Sequence, residues 1–161
     1  MTDAGTSRTA ALFDLHDRVA IVTGGAGLLG YYHGAILAAA GAHVVLLDLE
    51  SADSKARAKQ LTEEYGSQSL GLTCDITCER SLEDARRQIL EEFGCIDILI
   101  NNAANNPKVE DGNKAWSRLE NFPLEAWEAD LRVGLTGAFL CSRIFGTAMA
   151  KRGSGVIVNV A

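Results

Sequence analysis

From position 24 to position 30, glycine takes four of seven places: 24, 25, 27 and 30. Without a Cβ, a glycine lets the backbone come close to a bound anion. A helix that starts at such a turn adds its unpaired N–H groups and its positive dipole end. The chemistry is the binding of a pyrophosphate, and Gly25-x-Gly27-x-x-Gly30 has the spacing of a dinucleotide fingerprint. A carboxylate completes the constellation. Asp48 lies 18 residues beyond Gly30, at the end of the next apolar run. There it can accept both hydroxyls of a ribose and repel a 2′-phosphate. No Arg or Lys occurs in the glycine turn or immediately after Asp48, so the pattern favours NAD. The plainer alternative makes Asp48 a helix cap or a surface charge.

These residues need a strand before the turn and a helix after it. Val19-Ala20-Ile21-Val22 predicts a strand over 18–23. A helix over 28–40 follows, with Leu28, Leu29, Tyr32, Ile36, Leu37 and Ala40 as its packing face and Gly41 as its stop. The unbroken apolar run at 43–48 suits a parallel strand covered on both faces. Ser51 is the expected cap of a helix over 52–65. A third strand, 69–74, delivers Asp75-Ile76-Thr77 at its carboxyl end. After a helix over 79–93, a fourth strand at 95–100 leads into Asn101-Asn102-Ala103-Ala104. A polar loop precedes Pro123, which suits a first helical turn. Leu124, Trp127 and Leu131 share a face. Gly134 is expected to break or kink the helix before it resumes to about 152, because glycine disfavours helix interiors. Gly153-Ser154-Gly155 ends it, and a fifth strand covers 156–160. Trp116 and Trp127 are assigned to core or lid packing.

Strands alternating with helices mean βαβ units, hence an α/β, Rossmann-like, doubly wound parallel sheet. The expected order is 3-2-1-4-5, with the glycine turn at the switch point between strands 1 and 4. Residues 1–12 read as a flexible tail, with Leu12 to Leu15 against the sheet edge, and 13–161 as one NAD-binding domain. The 161 residues are 47% apolar and 22% charged, ordinary values for a globular chain. A net charge of −6 without a Lys/Arg cluster argues against nucleic acid or an anionic membrane as partner. Met1 to Ala11 has no apolar core of a signal peptide. Cys74, Cys78, Cys95 and Cys141 contain no CxxC and read as free, buried or half-buried thiols of a reducing cytoplasm; no metal site is expected.

The chain resembles the short-chain dehydrogenase/reductase family from Phe13 to Ala161. The resemblance rests on Thr23-Gly24…Gly30, Asp75-Ile76, Asn101-Asn102-Ala103-Ala104 and Gly155-Val156-Ile157-Val158-Asn159-Val160, in that order. It implies that Gly24, Gly27, Leu29 and Gly30 hold the pyrophosphate. Asp75 and Ile76 would border the adenine, and Asn102 and Ala103 the nicotinamide side of the groove. It further implies an NAD-dependent oxidoreductase interconverting a secondary alcohol and a ketone, and a homo-oligomer in the full-length form. Three positions depart from the family pattern. Leu28 stands where compact members have glycine, with Gly27 taking over as in longer members. Ala104 replaces a glycine. Gly134 in Val133-Gly134-Leu135-Thr136-Gly137 replaces the Asn of the family's catalytic tetrad. The family's catalytic Ser and Tyr-x-x-x-Lys would follow Ala161, so no catalytic residue is assigned. The 161 residues are expected to be an incomplete domain, truncated before the last strands and inactive alone. The competing reading is a non-catalytic NAD-binding or regulatory Rossmann protein, which Gly134 favours.

Overall fold

The computed structural model describes residues 11–105 and 119–160; Trp116 lies outside them. Five apolar runs form strands: β1 (Val19–Thr23), β2 (His43–Asp48), β3 (Ser69–Thr73), β4 (Ile98–Asn101) and β5 (Val156–Asn159). All pairings are parallel, in the order β3-β2-β1-β4-β5. The expected doubly wound sheet is therefore present. Its connections carry α1 (Leu28–Ala39), α2 (Ser54–Tyr65), α3 (Glu79–Phe93), α4 (Leu124–Leu131) and α5 (Ala138–Arg152).

β2 shows why its apolar run is unbroken. Successive side chains point to opposite faces, and both faces are covered. Val45 and Leu47 join Ile21, Leu99, Leu82, Ile89 and Phe145 on the side of α3 and α5. Val44 and Leu46 join Val22, Ala35, Ala38, Ala58 and Leu61 on the side of α1 and α2.

The packing face of α1 differs from the one expected, of which Leu37 still packs partly against the core. Leu28, Leu29, Tyr32 and Ile36 are exposed, and Gly30, Gly34, Ala35 and Ala38 are buried. Distance explains the difference. A Cβ at Gly34 would sit 3.1 Å from both Leu46 and Leu61, so the helix approaches the sheet too closely for large side chains on that face. Three smaller expectations also change. Asp53, not Ser51, caps α2: its Oδ1 accepts from Ala56 N at 3.2 Å, with Asp53 at φ 50°. Leu12 and Phe13 are exposed, and Leu15 N–H bonds Ala40 O at the end of α1 rather than lying on a sheet edge. Trp127 is 53% exposed, which among the described residues excludes the core half of its core-or-lid assignment.

Of the break or kink expected at Gly134, the chain shows no break, but regular α-helical bonding is interrupted there. The chain keeps right-handed helical torsions, and Arg132–Gly137 forms a π-helical segment joining α4 to α5. The irregularity is one of bonding register, which suits a residue of low helix propensity. The resulting helix, Leu124–Arg152, is long and apolar enough by length and composition to cross a bilayer. Here its Leu140, Cys141, Ile144, Phe145 and Met149 pack on the sheet, and it carries Glu125, Glu128, Asp130, Arg132 and Arg143. Its outer side presents a stripe at helical spacing: Leu124, Trp127, Leu131, Leu135 and Phe139, all exposed.

Candidate functional site

The glycine turn leaves the carboxyl end of β1 and is docked on both sides. Towards β2, Gly25 N–H bonds Leu47 O at 3.1 Å, and Ala26 N–H bonds Asp48 Oδ2 at 2.9 Å. Towards β4, the Asn102 side chain donates from Nδ2 to Thr23 O at 3.0 Å and more weakly to Gly24 O at 3.4 Å. Thr23 Oγ1 accepts the N–H groups of Asn102 and Ala103, both at 3.0 Å. β1 and β4 part company here, and the turn is sewn across the gap.

Three glycines are required by this geometry, the first being Gly25, whose Cβ would lie 2.9 Å from Leu46 Cα. Gly24 has φ +63°, and a Cβ on it would meet Ala103 Cα at 3.0 Å. A Cβ on Gly30 would lie 2.0 Å from Gly24 O. Gly27 is less constrained; its Cβ would meet only Gly24 O, at 3.3 Å. The exposed position of Gly27 faces the open side of the turn, as it begins α1 at its N-cap.

A groove of about 500 Å³ runs over the carboxyl ends of the strands at this point. Gly24, Gly27, Leu29 and Gly30 form one wall. Asp48, Asp75 and Ile76 form the end beyond β2 and β3. Asn102 and Ala103 form the side at β4. All nine residues singled out in the sequence thus surround one space, at the switch point where open α/β sheets bind ligands. Asp48 is half-buried, and its second oxygen accepts Leu49 N–H at 2.9 Å. A carboxylate has about four lone-pair positions, so two remain for a ligand's hydroxyls. Asp75 holds its own turn, Oδ1 accepting from Thr77 N and Oγ1 at 2.9 and 2.8 Å. Ile76 is buried between the groove and Gly137, where a Cβ would come within 2.7 Å of its Cδ1. The π-segment therefore borders the groove, with Val133 on its lining.

Cys74 also lines the groove, but burial pushes its thiol up to about 11. Cys141, deeper in the core, is pushed up to about 12 by burial. Both stay protonated at neutral pH and are not nucleophiles. Cys78 is exposed and Cys95 half-buried; all four are free.

Asn101 stands in the Asn101-Asn102-Ala103-Ala104 motif, but the sequence reading gives it no role of its own. It is buried at 5% exposure, and its Nδ2 donates to Asn159 Oδ1 at 2.8 Å, Ser142 Oγ at 3.1 Å and Ala138 O at 3.4 Å. Its backbone O accepts Val160 N–H at 2.9 Å. It ties the exits of β4 and β5 to the start of α5. The signal available was alternation: Asn101 ends β4 pointing into the sheet's cover, and Asn102 is the next residue, turned to the glycine turn.

Comparison with known proteins follows the same division. The family profile described as short chain dehydrogenase matches residues 18–161. An uncharacterized oxidoreductase of Thermotoga maritima is 35% identical over 91% of the chain and 54% of its own length. D-threitol dehydrogenase of Mycolicibacterium smegmatis is 34% identical over 92% and 54%, and NAD-dependent glycerol dehydrogenase of Listeria innocua 35% over 92% and 54%. The chain spans about half the length of the curated relatives it matches. Among solved structures, NAD+-bound xylitol dehydrogenase superposes with a TM-score of 0.80 at 26% identity, over 91% of the chain and 54% of that structure. An NADPH-dependent 3-quinuclidinone reductase from Rhodotorula rubra gives 0.77 at 26%, over 92% and 53%. The two neighbours thus differ in nicotinamide cofactor on the same fold.

Proposed function

This chain belongs to the short-chain dehydrogenase family, and from that premise we propose that residues 13–161 are the NAD-binding part of an alcohol/ketone oxidoreductase. The observation that carries the proposal is Asp48, placed at the groove with no basic neighbour in the turn. Gly24, Gly27, Leu29 and Gly30 hold the pyrophosphate; tight packing at Gly24 and Gly30 fixes the path of the turn, and the exposed Gly27 leaves bare backbone at the groove. Asp48 takes the adenosine ribose hydroxyls. Asp75 and Ile76 border the adenine, and Asn102 and Ala103 the nicotinamide end. When bound, the nicotinamide supplies the acceptor or donor of hydride; this part of the chain binds and orients it and keeps water from one side. The relatives named for threitol and glycerol, and the structure named for xylitol, support a small polyol or other secondary alcohol as substrate. The proposed compartment is the cytoplasm. The exposed stripe on α4 and the π-segment suits a homo-oligomer of the full-length form, and the 161 residues alone are proposed to be inactive.

Titration of wild type with NAD(H) and NADP(H) tests the cofactor assignment. NAD should bind at least about tenfold tighter, the equivalent of one charge-assisted hydrogen bond. Equal affinities would remove Asp48 from the ribose.

Gly134 favours a second reading, a protein that binds NAD without turning it over. Nothing lies within 4 Å of a Cβ built at Gly134, so Gly134→Asn enters without a clash. It should leave the fold intact and raise stability by a few tenths of a kcal/mol, since Asn is a somewhat better helix residue than Gly. In the full-length protein, a rise in turnover on this substitution would show that the proton relay had been lost. Unchanged turnover in an active enzyme would show that another group carries it.

A further inference from the structure

The Asp48 carboxylate is already at work before any ligand arrives. Its Oδ2 accepts the N–H of Ala26, in the middle of the glycine turn, at 2.9 Å. Ala26 is buried at 9% exposure, so water cannot readily replace that partner. The one other bond from the turn to β2 joins Gly25 N–H to Leu47 O among the described residues. A backbone N–H aimed at a carboxylate is the stronger, charge-assisted kind of hydrogen bond.

We propose that Asp48 is a positioning residue of the glycine turn, so that the same carboxylate selects the cofactor and holds the pyrophosphate cradle in shape. This rests on reading the groove as a nucleotide site. The two roles use different lone pairs of one side chain, which makes them separable by substitution. Asp48→Ala removes both. Asp48→Asn keeps one carbonyl oxygen, which can accept Ala26 N–H if the bond to Leu49 N–H at the exposed edge is given up, and removes the charge that repels a 2′-phosphate. A change of cofactor preference by replacing Asp48 with a small residue would therefore loosen the turn for either cofactor.

The test uses the full-length protein and two ligands, NAD and its 2′,3′-dideoxyadenosine analogue, which lacks the hydroxyls that Asp48 would bind. If Asp48 also holds the turn, Asp48→Ala weakens the analogue by about tenfold, and Asp48→Asn by less than about threefold. Amide hydrogen exchange at Ala26 in the ligand-free protein should accelerate in Asp48→Ala and stay slow in Asp48→Asn. An Asp48→Ala variant that binds the analogue like wild type, with unchanged Ala26 exchange, overturns the proposal. A wild type that binds the analogue as tightly as NAD, while Asp48→Ala still loses affinity for it, supports the positioning role and overturns the ribose contact.

Discussion

Gly30→Val is expected to abolish measurable NAD binding, a loss of more than about a hundredfold, and to destabilise the fold by about 3 kcal/mol. The cause is local and rigid. A Cβ at position 30 would stand 2.0 Å from Gly24 O and 2.8 Å from both Gly24 C and Gly25 Cα. These are backbone atoms, so no side chain can rotate aside. Either α1 slides away from the turn or the turn opens, and each movement spoils the cradle. Gly27→Ala is the contrast. Its Cβ would meet one atom, Gly24 O, at 3.3 Å, and a shift of a few tenths of an ångström relieves it. Calorimetric titration and thermal unfolding of the two variants should rank Gly30 far above Gly27. The reverse ranking would place the pyrophosphate against the open edge of the turn rather than on its floor.

That ranking is not legible in the fingerprint, where both glycines count alike. What the fingerprint conveys is the strand, the turn and the helix, because each follows from local chemistry: a β-rich run, positions that need bare backbone, and a helix stop at Gly41. The strand order followed as well, since right-handed crossovers leave few ways to connect parallel strands. Faces were less legible. In α1 the large residues Leu28, Leu29, Tyr32 and Ile36 dominate any count of apolar positions, but the fully buried residues of the helix are small ones, with Tyr31 and Leu37 partly packed beside them. Which stripe packs depends on interhelical distance, a tertiary quantity. The same holds at Gly134. Its low helix propensity is visible in the sequence, but its outcome, a π-segment whose last residue, Gly137, packs directly on Ile76, is not.

The site divides along the same line. Glycines, Asp48 and Asn102 belong to short spacings that can be read in one dimension. Asn101 acts through Ser142 and Asn159, 41 and 58 residues away, and no local pattern links them. Asp97 is a second case, at the opposite end of the sheet from the groove. In the sequence it is one acidic residue in Cys95-Ile96-Asp97. In the fold it is buried at 5% exposure and joins three parts of the chain.

Asp97→Ala is accordingly expected to cost about 3 kcal/mol, and about 10 °C in unfolding temperature, with the groove itself untouched. Asp97 Oδ2 accepts Val19 N–H at 3.0 Å, and Oδ1 accepts Arg18 at 3.1 Å and Arg152 from the end of α5. Truncation leaves the Val19 N–H without a partner in a buried position, which is the costly part; the two arginines are half-exposed and can turn to water. Burial by itself would raise the carboxyl pKa of Asp97. The Val19 N–H, Arg152, Arg18 and the Cys95 thiol favour its charged form, and the net shift is downward from 3.8. A carboxylate with a depressed folded pKa adds stability above its unfolded pKa, and that stability is lost as pH falls through the folded value. Wild type should therefore lose part of its stability below about pH 4, and the Asp97→Ala curve should be flatter there. Asp97→Asn keeps an oxygen for Val19 N–H without the charge, so it should fall between the two, at about 1 kcal/mol below wild type near neutral pH. Chemical denaturation of the three proteins from pH 3 to pH 7 measures all of this. Identical acid dependence in wild type and Asp97→Ala would mean that the Asp97 carboxyl titrates alike in the folded and unfolded chain, and would overturn the claim that Val19 N–H and the arginines favour its charged form.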